Sequence, residues 1–411
     1  MRILHTADWH LGRRLEGRSR HEEQVAAMDE IVKIAEEEAV DGILIAGDVF
    51  DTYNPPAESE ALFYQTMTRL ADGGRRAVLV IAGNHDSPDR LIASNPYARA
   101  LGITTIGYPK DTPALYDVGS DRVACVESAP SFVRLRMPRS NRPLSVLALP
   151  YPSESRLREL LTVDLSDEER LSADYNQRVS GFLEDQARRF ISGEANMVAT
   201  HLFVRGGEQS DSERDVSVGG AYAVNASSFP HAAGYVALGH LHRQQSMTAR
   251  EETPLRYSGS ILQYSFSEAG QEKSVTVVEF DGPRAAHRII PLTAGRRLHR
   301  WTASSTVELE ERLARSTSND WHNITLELDA PLPLDYLHTL KSRHPEIFQC
   351  LTLYKSSSDA AERRSSSSAL TLEEQFRSFV AMSFSEPCNE SVMRLFLELA
   401  ASNETQPDAE R

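Results

Sequence analysis

Side chains that commonly bind metal ions follow five apolar stretches of this sequence, at the point where each stretch ends. These side chains are Asp8, His10, Asp48, Asn84, His85, His201, His240 and His242. Carboxylate, amide and imidazole groups together suit Mn²⁺, Fe²⁺ or Zn²⁺ better than Ca²⁺ or Mg²⁺, which prefer shells of oxygen ligands. The residue types therefore predict a centre for divalent ions of the kind that hydrolyses phosphoesters.

The five apolar stretches are expected to be strands of an α/β fold. Buried parallel strands are continuous in apolar residues, as residues 43–46 and 78–82 are. Sheets of this kind bind their ligands just beyond the carboxyl ends of the strands. A glycine precedes both Asp48 and Asn84, so the chain can turn sharply there and present the next side chain. All five strand ends can therefore meet in one cleft.

The charges of these residues indicate two divalent ions that share one carboxylate. Asp8 and Asp48 neutralise only two of the four positive charges that two such ions would bring. The remaining positive charge would attract a phosphodiester, and a water between the ions would ionise and attack phosphorus. In the expected strand order, Asp48 lies between the strand that ends at Asp8 and the strand that ends at Asn84. We therefore expect Asp48 to bridge the ions.

Three neighbouring residues are candidates for supporting roles in this chemistry. His85 directly follows a candidate ligand, and imidazole titrates near neutral pH, so we expect it to protonate the departing oxygen. Histidine ligands also need a neighbour that fixes which ring nitrogen carries the proton. Asp51 and Asp86 are the available carboxylates and are expected to serve in this way.

Taken singly, most of these motifs have an ordinary structural explanation. An Asp-x-His pair is often incidental, and a Gly-Asp pair at a strand end is often a turn or a helix cap. The run from Asn84 to Asp86 places three polar side chains directly after an apolar strand, which has no such explanation. The interpretation as a metal centre rests on the five motifs occurring together, each at the end of an apolar stretch.

The overall charge does not favour nucleic-acid binding, but two local clusters of arginine do. One of them consists of Arg134, Arg136, Arg139 and Arg142, and the other adjoins the proposed site. The chain has 411 residues and a formal net charge of −15, whereas phosphate backbones favour basic faces. A basic cluster nevertheless follows the first metal-binding motif and consists of Arg13, Arg14, Arg18 and Arg20. We expect these arginines either to contact DNA or to belong to an ordinary solvated loop.

The composition also favours a cytoplasmic protein without a membrane segment. No run of about eighteen apolar residues is present, and the first residues do not have the pattern of a signal peptide. Cys125, Cys350 and Cys388 are far apart and form no Cys-x-x-Cys pair. This cysteine usage is typical of a reducing cytosol rather than of a disulfide framework or a zinc knuckle.

The pattern along the chain predicts several domains. Residues 1–290 alternate strands with helices, and residues 291–355 are expected to form a small separate α/β unit. Residues 356–370 are rich in serine and predict a linker, followed by two amphipathic helices within residues 371–401 and a tail at 402–411. The apolar faces of these two helices either pack on the body or bind a partner's groove or coiled coil.

In order and spacing, the motifs resemble those of the calcineurin-like metallophosphoesterase superfamily. The motifs are Asp8-x-His10, Gly47-Asp48, Gly83-Asn84-His85-Asp86, His201 and Gly239-His240-x-His242. Within this superfamily, residues 1–12, 149–151, 210–215 and 257–266 resemble the SbcD family of bacterial nuclease subunits. The resemblance is specific over residues 1–290 and extends in layout beyond them.

The resemblance implies a two-sheet sandwich flanked by helices, with a small α/β capping domain and a C-terminal helical segment that binds a partner. One Mn²⁺ would be held by Asp8, His10, Asp48 and His242. The second Mn²⁺ would be held by Asp48, Asn84, His201 and His240. His85 would lie beside the scissile phosphate.

The resemblance also implies an activity and partners. The expected activity is Mn²⁺-dependent exonuclease and endonuclease cleavage at DNA ends and hairpins, in DNA repair and recombination at the nucleoid. An SbcC-type ATPase subunit would bind residues 371–401, and this chain has no Gly-x-x-x-x-Gly-Lys-Ser/Thr loop of its own. A homodimer would form through helices around residues 62–67 and 91–101, unless those faces are ordinary core.

Two other functions remain open from the sequence. The same site could act on a phosphodiester other than DNA or on a phosphoprotein, because one fold supports many substrates. The chain could also be a non-catalytic assembly module that recruits a partner through its terminal helices. Asp51 stands where archaeal and eukaryotic relatives carry a histidine, so the role of that histidine is not transferred to this chain.

Overall fold

The computed structural model describes residues 1–153, 156, 168–213, 222–247, 253–316, 320–333, 335–354, 373, 376–377 and 389–403. The chain divides into two compact units. The first contains Met1–Arg300 with Thr317–Asn323, and the second contains Trp301–Ser316 with Ile324–Arg411. All the metal-binding motifs belong to the first unit.

The strands are numbered in chain order. The strands that precede residue 150 are β1 (Arg2–Thr6), β2 (Arg14–Leu15), β3 (Arg18–Ser19), β4 (Gly42–Ala46), β5 (Ala77–Ile81), β6 (Ile103–Ile106), β7 (Tyr116–Asp117), β8 (Ala124–Ala129), β9 (Phe132–Met137) and β10 (Arg142–Leu149). The later strands are β11 (Ala195–His201), β12 (Tyr235–Gly239), β13 (Gln245–Met247), β14 (Leu255–Tyr257), β15 (Ser274–Asp281), β16 (Arg284–Pro291), β17 (Leu298–Ala303), β18 (Trp321–Leu328) and β19 (Ile347–Tyr354).

The helices are numbered in the same way. The α-helices are α1 (His21–Glu37), α2 (Ala57–Ala71), α3 (Pro88–Ile92), α4 (Asn95–Ala98), α5 (Glu168–Ala187), α6 (Thr306–Ala314), α7 (Tyr336–Arg343) and α8 (Glu390–Asn403). Single 3₁₀ turns occupy Asp72–Gly74, Arg99–Leu101, Ala226–Ser228 and Phe266–Glu268.

The first sheet has the strand order β16-β15-β1-β4-β5-β6. Strands β1, β4, β5 and β6 are parallel, with Leu4 beside Ile43 and Ile43 beside Val78. Every residue of β4 and β5 is buried, which explains why these segments are apolar throughout. Because the strands run in one direction, their carboxyl ends lie at one edge of the sheet.

The second sheet has the strand order β13-β14-β12-β11-β10-β9-β8-β7. Strands β10, β11 and β12 are parallel, and His201 at the end of β11 pairs with Gly239 at the end of β12. The fold therefore supplies a second group of strands whose carboxyl ends lie at one edge. The prediction that the five apolar stretches are strands of an α/β fold is thus confirmed.

The two sheets pack face to face, with helices outside them. One buried cluster joins residues of both sheets, including Ile3 and Leu79 from the first and Val146 and Met197 from the second. A second cluster packs α1 and α2 on the outer face of the first sheet, and a third packs α5 on the outer face of the second. This arrangement confirms the predicted two-sheet sandwich flanked by helices.

Helix α1 shows how the sequence builds these layers. Met28, Ile31, Val32 and Ala35 recur at three- and four-residue spacing, and all four are buried. Burial of a large apolar side chain contributes about 1.5–3 kcal/mol, so this stripe holds the helix on the sheet. The helix ends where Ala39 takes a positive φ of 47°, and the backbone N–H of Val40 donates to the carbonyl of Ala35.

The second unit is a small α/β structure of its own. It contains most of a three-stranded sheet in the order β17-β18-β19, together with helices α6 and α7. Leu309 and Leu340 from the two helices share a buried core with Ile324 and Ile347 from the sheet. Ser305 caps α6, since its hydroxyl accepts the backbone N–H of Glu308.

The C-terminal part of this unit contains α8, which lies where the second terminal helix is predicted. Val392 and Leu395 on this helix are about half exposed, whereas Met393 is buried. The rings of Phe376 and Phe396 stack with their centroids 3.8 Å apart. Among the described residues, the helix therefore exposes part of its apolar side chains.

The predicted domain boundaries stay predictions. The structure divides the chain near residue 300, about ten residues beyond the predicted boundary at 290. The linker predicted at residues 356–370, and most of the tail predicted at 402–411, lie outside the described residues. No helix within the described part of the chain is long and apolar enough to cross a membrane.

The two sheets approach each other so closely at the strand ends that some positions exclude any side chain. A Cβ atom on Gly239 would lie 1.9 Å from the carbonyl oxygen of Ala46, which belongs to the opposite sheet. A Cβ atom on Gly83 would lie 2.1 Å from Oδ1 of Asp48. These glycines allow backbones to meet around the metal-binding motifs.

We expect the substitution Gly239→Ala to lower the free energy of unfolding by about 1–3 kcal/mol, because a methyl group would separate the two strand ends. Gly181→Ala is the matched control. Gly181 lies within α5, and no atom lies within 4 Å of the position that a methyl group would occupy there, so alanine should stabilise by about 0.4–1 kcal/mol. Urea unfolding followed by circular dichroism measures both. Equal stability of the two variants would contradict this close-approach explanation.

Candidate metal centre

The predicted ligands converge from the carboxyl ends of strands in both sheets. Asp8 and His10 follow β1, Asp48 follows β4, and Asn84 and His85 follow β5. From the second sheet, His201 ends β11, while His240 and His242 follow β12. The structure brings all eight residues into one site, where all but Asn84 are buried.

The backbone is strained at four of these positions. The φ angles are 52° at Asp8, 44° at His10, 50° at Asp48 and 103° at His240. A residue with a Cβ atom pays of order 1–3 kcal/mol for such a conformation. Backbone hydrogen bonds maintain it, with the N–H of Asp8 donating to Gly47 and that of His10 donating to Asp48, both at 3.0 Å. This backbone conformation directs the four side chains towards the cleft.

One group of ligand atoms gathers around His10. Its Nε2 atom lies 2.9 Å from Nε2 of His242 and 3.6 Å from Oδ2 of Asp48. Asp8 belongs to the same group, since its carboxylate and the nitrogens of His10 and His242 all lie within 4.8 Å of one another. We call these four residues the His242 cluster.

A second group gathers around Asn84. Its Oδ1 atom lies 2.9 Å from Nε2 of His201 and 3.2 Å from Nδ1 of His240. Nε2 of His201 lies 3.4 Å from Oδ2 of Asp48. We call these four residues the Asn84 cluster. The same Asp48 oxygen therefore faces both clusters, as expected of a carboxylate shared between two ions.

The spacing of these atoms fits bound divalent ions. Ligands held at about 2.1 Å from one ion lie roughly 3 Å or more from each other, which matches the separations of 2.9–3.6 Å found here. The nitrogens that face the two clusters are Nε2 of His10 and Nδ1 of His240, so these are the atoms that could bind such ions.

The buried carboxylates create a demand for positive charge. Burial opposes ionisation of Asp48, yet the charge and hydrogen bond of His201 hold the pKa of Asp48 well below its usual value. Conversely, burial lowers the pKa of His201, but Asp48 and Asp8 outweigh it and raise that pKa to about 9. Burial raises the pKa of Asp8 to about 7. A divalent ion would satisfy this demand more completely than a protonated imidazole.

Burial favours the neutral form of two other candidate ligands, and metal binding requires that form. Burial lowers the pKa of His10 to about 3, although Asp51 and Asp48 oppose it. Burial likewise lowers the pKa of His240 to about 3, and His201 adds to the effect. Neutral imidazole has a free lone pair for a metal ion. The donor set therefore fits two divalent ions.

Sequence comparison agrees with this geometry. Residues 1–244 match the profile of the calcineurin-like phosphoesterase family. The chain belongs to this family. A relative from Bacillus subtilis, named as the SbcD component of the nuclease SbcCD, is 40% identical over 410 residues, which is 99% of this chain and 99% of that protein.

A second relative and one solved structure complete the comparison. A protein of the same name from Rhodobacter capsulatus is 36% identical over 319 residues, or 76% of this chain and 75% of that protein. A dimetal phosphatase from Danio rerio is 14% identical, and the match covers 71% of this chain and 99% of that chain with a TM-score of 0.36. The family assignment rests on the sequence comparisons, which also group the chain with the SbcD proteins.

His85 of this phosphoesterase lies beside Asp48, Asp51 and His10. Its Nδ1 atom is 2.7 Å from the carbonyl oxygen of Asp51, and its backbone N–H donates to Oδ1 of Asp48 at 2.8 Å. The ring meets that of His10 edge-on, with centroids 4.7 Å apart. With Nδ1 directed at a carbonyl, Nε2 is the nitrogen that can exchange a proton with a substrate.

Asp51 and Asp86 have different tasks. Asp51 stands beside histidine, as predicted, with Oδ1 3.5 Å from Nδ1 of His10. Asp86 instead accepts the backbone N–H groups of Val49, Phe50 and Gly83 at 2.8–3.2 Å. The prediction that Asp86 orients a histidine is therefore corrected. Its carboxylate ties the loop after β4 to the loop after β5.

The four arginines of the basic cluster also differ from one another. Arg13 donates to Asp51 and to the carbonyl of Ser212, and Arg14 donates to the carbonyl of Gly17 at an exposed position. Arg18 lies with its guanidinium 5.7 Å from the ring of Trp321. Arg20 is 1% exposed and donates to Glu23. The structure does not present Arg20 to a DNA backbone, because its burial and its ion pair stabilise the fold instead.

Several residues of the site were not predicted. Ser212, Glu268 and Lys273 form a buried hydrogen-bonded chain that reaches His242, and Glu213 accepts the backbone N–H of His242 at 2.7 Å. Burial would raise the pKa of Glu268, but Lys273 and His242 hold it well below the usual value. Residues 212 and 268 are far apart in sequence, and no spacing pattern links them.

We expect a divalent ion such as Mn²⁺ to stabilise the wild-type protein against unfolding by about 3 kcal/mol at 100 times its dissociation constant. Asp48→Asn should lose most of this gain, because the shared carboxylate charge would be missing. The measurement is thermal unfolding with and without the ion. Asp281→Asn, an exposed change at the end of β15, is the control and should keep the gain. Equal gains in both variants would contradict the role of Asp48.

Proposed function

We propose that this chain is a Mn²⁺-dependent nuclease that cleaves phosphodiester bonds at DNA ends and hairpins. One observation carries the proposal: Oδ2 of Asp48 faces both the His242 cluster and the Asn84 cluster. A shared carboxylate is the means by which a protein holds two ions about 4 Å apart for an in-line displacement at phosphorus. The relatives named as nucleases supply the expectation that the phosphodiester belongs to DNA.

The protein and its ions have separate tasks in this reaction. When bound, the divalent ions neutralise charge on the phosphoryl oxygens and provide an ionised water near neutral pH. The two clusters fix the positions of the ions, and the strained backbone at Asp8, His10 and Asp48 orients their side chains before substrate arrives. Burial of these residues keeps bulk water away from their charges.

His85 would protonate the oxygen that leaves the phosphorus. The residue is 5% exposed. Because its Nδ1 atom contacts the carbonyl of Asp51, which can only accept a hydrogen, Nε2 is the nitrogen that would carry the transferred proton. A positioned histidine acid contributes about 10²–10⁴-fold to such reactions.

The mixed donor set narrows the proposed ion to three transition metals. The Asn84 cluster offers one amide oxygen, one carboxylate and two imidazoles. Such sites favour Mn²⁺, Fe²⁺ or Zn²⁺ over Mg²⁺ and Ca²⁺. Within that group, the preference for Mn²⁺ comes from the family resemblance.

The proposed partners follow from the relatives and from exposed surface. The relatives are subunits of a complex named SbcCD, so we propose an SbcC-type ATPase that binds within residues 371–401. The half-exposed Val392 and Leu395 of α8 offer it an apolar face. A homodimer is proposed through α2 and the α3–α4 region, where Tyr64 and Tyr97 are exposed.

The second unit is proposed to be the capping domain that shapes the DNA path. A protein with these roles in DNA repair and recombination would act in the cytoplasm at the nucleoid. Both proposals extend the family resemblance.

The proposal is tested with the full chain and Mn²⁺ on linear duplex DNA, hairpin DNA, a chromogenic phosphodiester and a phosphopeptide. Wild type should cleave DNA, and Asp48→Asn should lose at least about 100-fold in rate, whereas Asp281→Asn should remain active. Turnover of the phosphopeptide without any cleavage of DNA would favour the phosphoprotein alternative. Undiminished cleavage by Asp48→Asn would refute the metal assignment.

His85→Asn should lower the rate of DNA cleavage by about 10²–10⁴-fold while leaving the metal content unchanged. A chromogenic phosphodiester with an acidic phenol as leaving group should be affected much less, because that leaving group needs no proton. Comparison of the two substrates in the same variant isolates the acid role. Equal losses on both would show that His85 acts in some other way.

A further inference from the structure

A buried ion pair stands behind His242, on the side of the ring that faces away from His10. Glu268 is fully buried, and Lys273 donates to its Oε2 atom at 2.5 Å. The other carboxylate oxygen of Glu268 accepts the hydroxyl of Ser212 at 2.5 Å and the backbone N–H of Tyr264 at 3.2 Å. A buried carboxylate with these three donors is ionised and carries no proton of its own.

The hydrogen bonds in this chain can run in only one direction. The Ser212 hydroxyl has a single hydrogen, and the ionised carboxylate at 2.5 Å is a stronger acceptor than the Ser210 hydroxyl at 3.0 Å. Ser212 must therefore accept a hydrogen from Nδ1 of His242, which lies 2.6 Å away. Protonation at Nδ1 leaves Nε2 of the neutral ring with its lone pair.

The lone pair on Nε2 points at the place where the ligand atoms of the His242 cluster converge. Nε2 of His242 lies 2.9 Å from Nε2 of His10. The backbone of His242 is also held by groups outside the ion pair, since its N–H donates to Glu213 and its carbonyl accepts the backbone N–H of Ser260. Loss of the Glu268 side chain would therefore change the ring and its tautomer more than the chain path.

We propose that Glu268, anchored by Lys273, is a positioning residue that holds His242 in the tautomer required for metal binding. This inference rests on the metal centre of the proposed function but is independent of the substrate. His201 provides the contrast, because its Nδ1 atom faces the backbone carbonyl of Ala46 at 2.8 Å. Its tautomer is fixed by the fold, whereas that of His242 depends on side chains. Disturbing Glu268 should therefore weaken the His242 cluster and spare the Asn84 cluster.

The test compares two double variants of the full chain, Glu268→Gln/Lys273→Met and Glu268→Leu/Lys273→Met. Both remove the two buried charges together, and replacing a buried ion pair by neutral groups is often tolerated. They differ in one respect, because glutamine keeps an acceptor oxygen towards Ser212 and leucine does not. Mn²⁺ binding is measured by calorimetry and by metal analysis, and unfolding in the presence of a chelator reports on the fold.

We expect the leucine variant to bind one of its two ions about 10–100-fold more weakly than the glutamine variant. When Mn²⁺ is scarce, the Mn²⁺ content of the leucine variant should fall from two ions towards one ion per chain. General destabilisation would weaken both ions, so loss confined to one ion identifies positioning of His242. Equal affinity and stoichiometry in the two variants would overturn the proposal.

The substitution Ser212→Ala distinguishes the contribution of the Glu268 carboxylate from that of the Ser212 hydroxyl. Nδ1 of His242 lies 3.4 Å from Oε1 of Glu268, so a small shift would replace the bridge by a direct hydrogen bond. We expect this variant to lose less affinity than the leucine variant. A loss as large as that of the leucine variant would show that Ser212, and not Glu268, is the anchor.

A measurement on the wild type does not depend on any variant folding. Ring ¹⁵N resonances of the metal-free protein should show His242 protonated at Nδ1, with the assignment taken from His242→Gln. A ring protonated at Nε2 would refute the proposal. If wild type binds no Mn²⁺, the proposed function fails first, and this outcome is distinct from equal binding by the two double variants.

Discussion

The Asp48 carboxylate is the point on which the rest of the structure depends, because one of its oxygens faces ligand groups contributed by two different sheets. For this to happen, the carboxyl ends of parallel strands in both sheets must meet at atomic contact. Parallel strands point their ends in one direction, and each sheet brings a set of such ends to one edge. The approach is so close that a Cβ atom on Gly239 would lie 1.9 Å from the carbonyl oxygen of Ala46 in the opposite sheet. A glycine at this contact is therefore as necessary for the geometry of the site as the ligand side chains themselves.

The conformations and buried charges of the site lower the stability of the fold, and the apolar packing of the two sheets offsets this loss. Four candidate ligands have strained backbone conformations, and two carboxylates are buried close to one another. Burying an unbalanced charge is expensive unless a partner neutralises it. In the protein alone, His201 supplies part of that charge by becoming protonated. Bound ions would release His201 to act as a neutral ligand, so metal binding and the ionisation of the site are linked. The continuous apolar strands on either side supply the stability that makes such an arrangement tolerable.

Much of the site could be predicted from the sequence, because the relevant signals are local. An apolar run that ends in Gly-Asp or Gly-Asn-His-Asp identifies both the strand and the ligand at its end. The errors arose where a role depends on contacts between distant segments. Asp86 is adjacent to candidate ligands in sequence, yet its carboxylate binds backbone N–H groups of two loops. Arg20 is one of four clustered arginines, but burial beside Glu23 distinguishes it from the others. Glu268 carries no local signal, since its partners Ser212 and His242 come from other parts of the chain.

The two clusters are supported by different kinds of structure, and this difference has a physical consequence. His201 is oriented by a main-chain carbonyl of the neighbouring sheet, which can change only if the strands move. His242 is oriented by a hydrogen-bonded chain of side chains that ends in a buried ion pair. Two divalent ions about 4 Å apart repel each other strongly, and the charge of Asp48 between them reduces that repulsion. In the Asn84 cluster, His201 would meet an ion in an orientation that the fold fixes. In the His242 cluster, ion binding would depend on a tautomer that side chains maintain. The His242 cluster would therefore be the more sensitive of the two to changes in its surroundings.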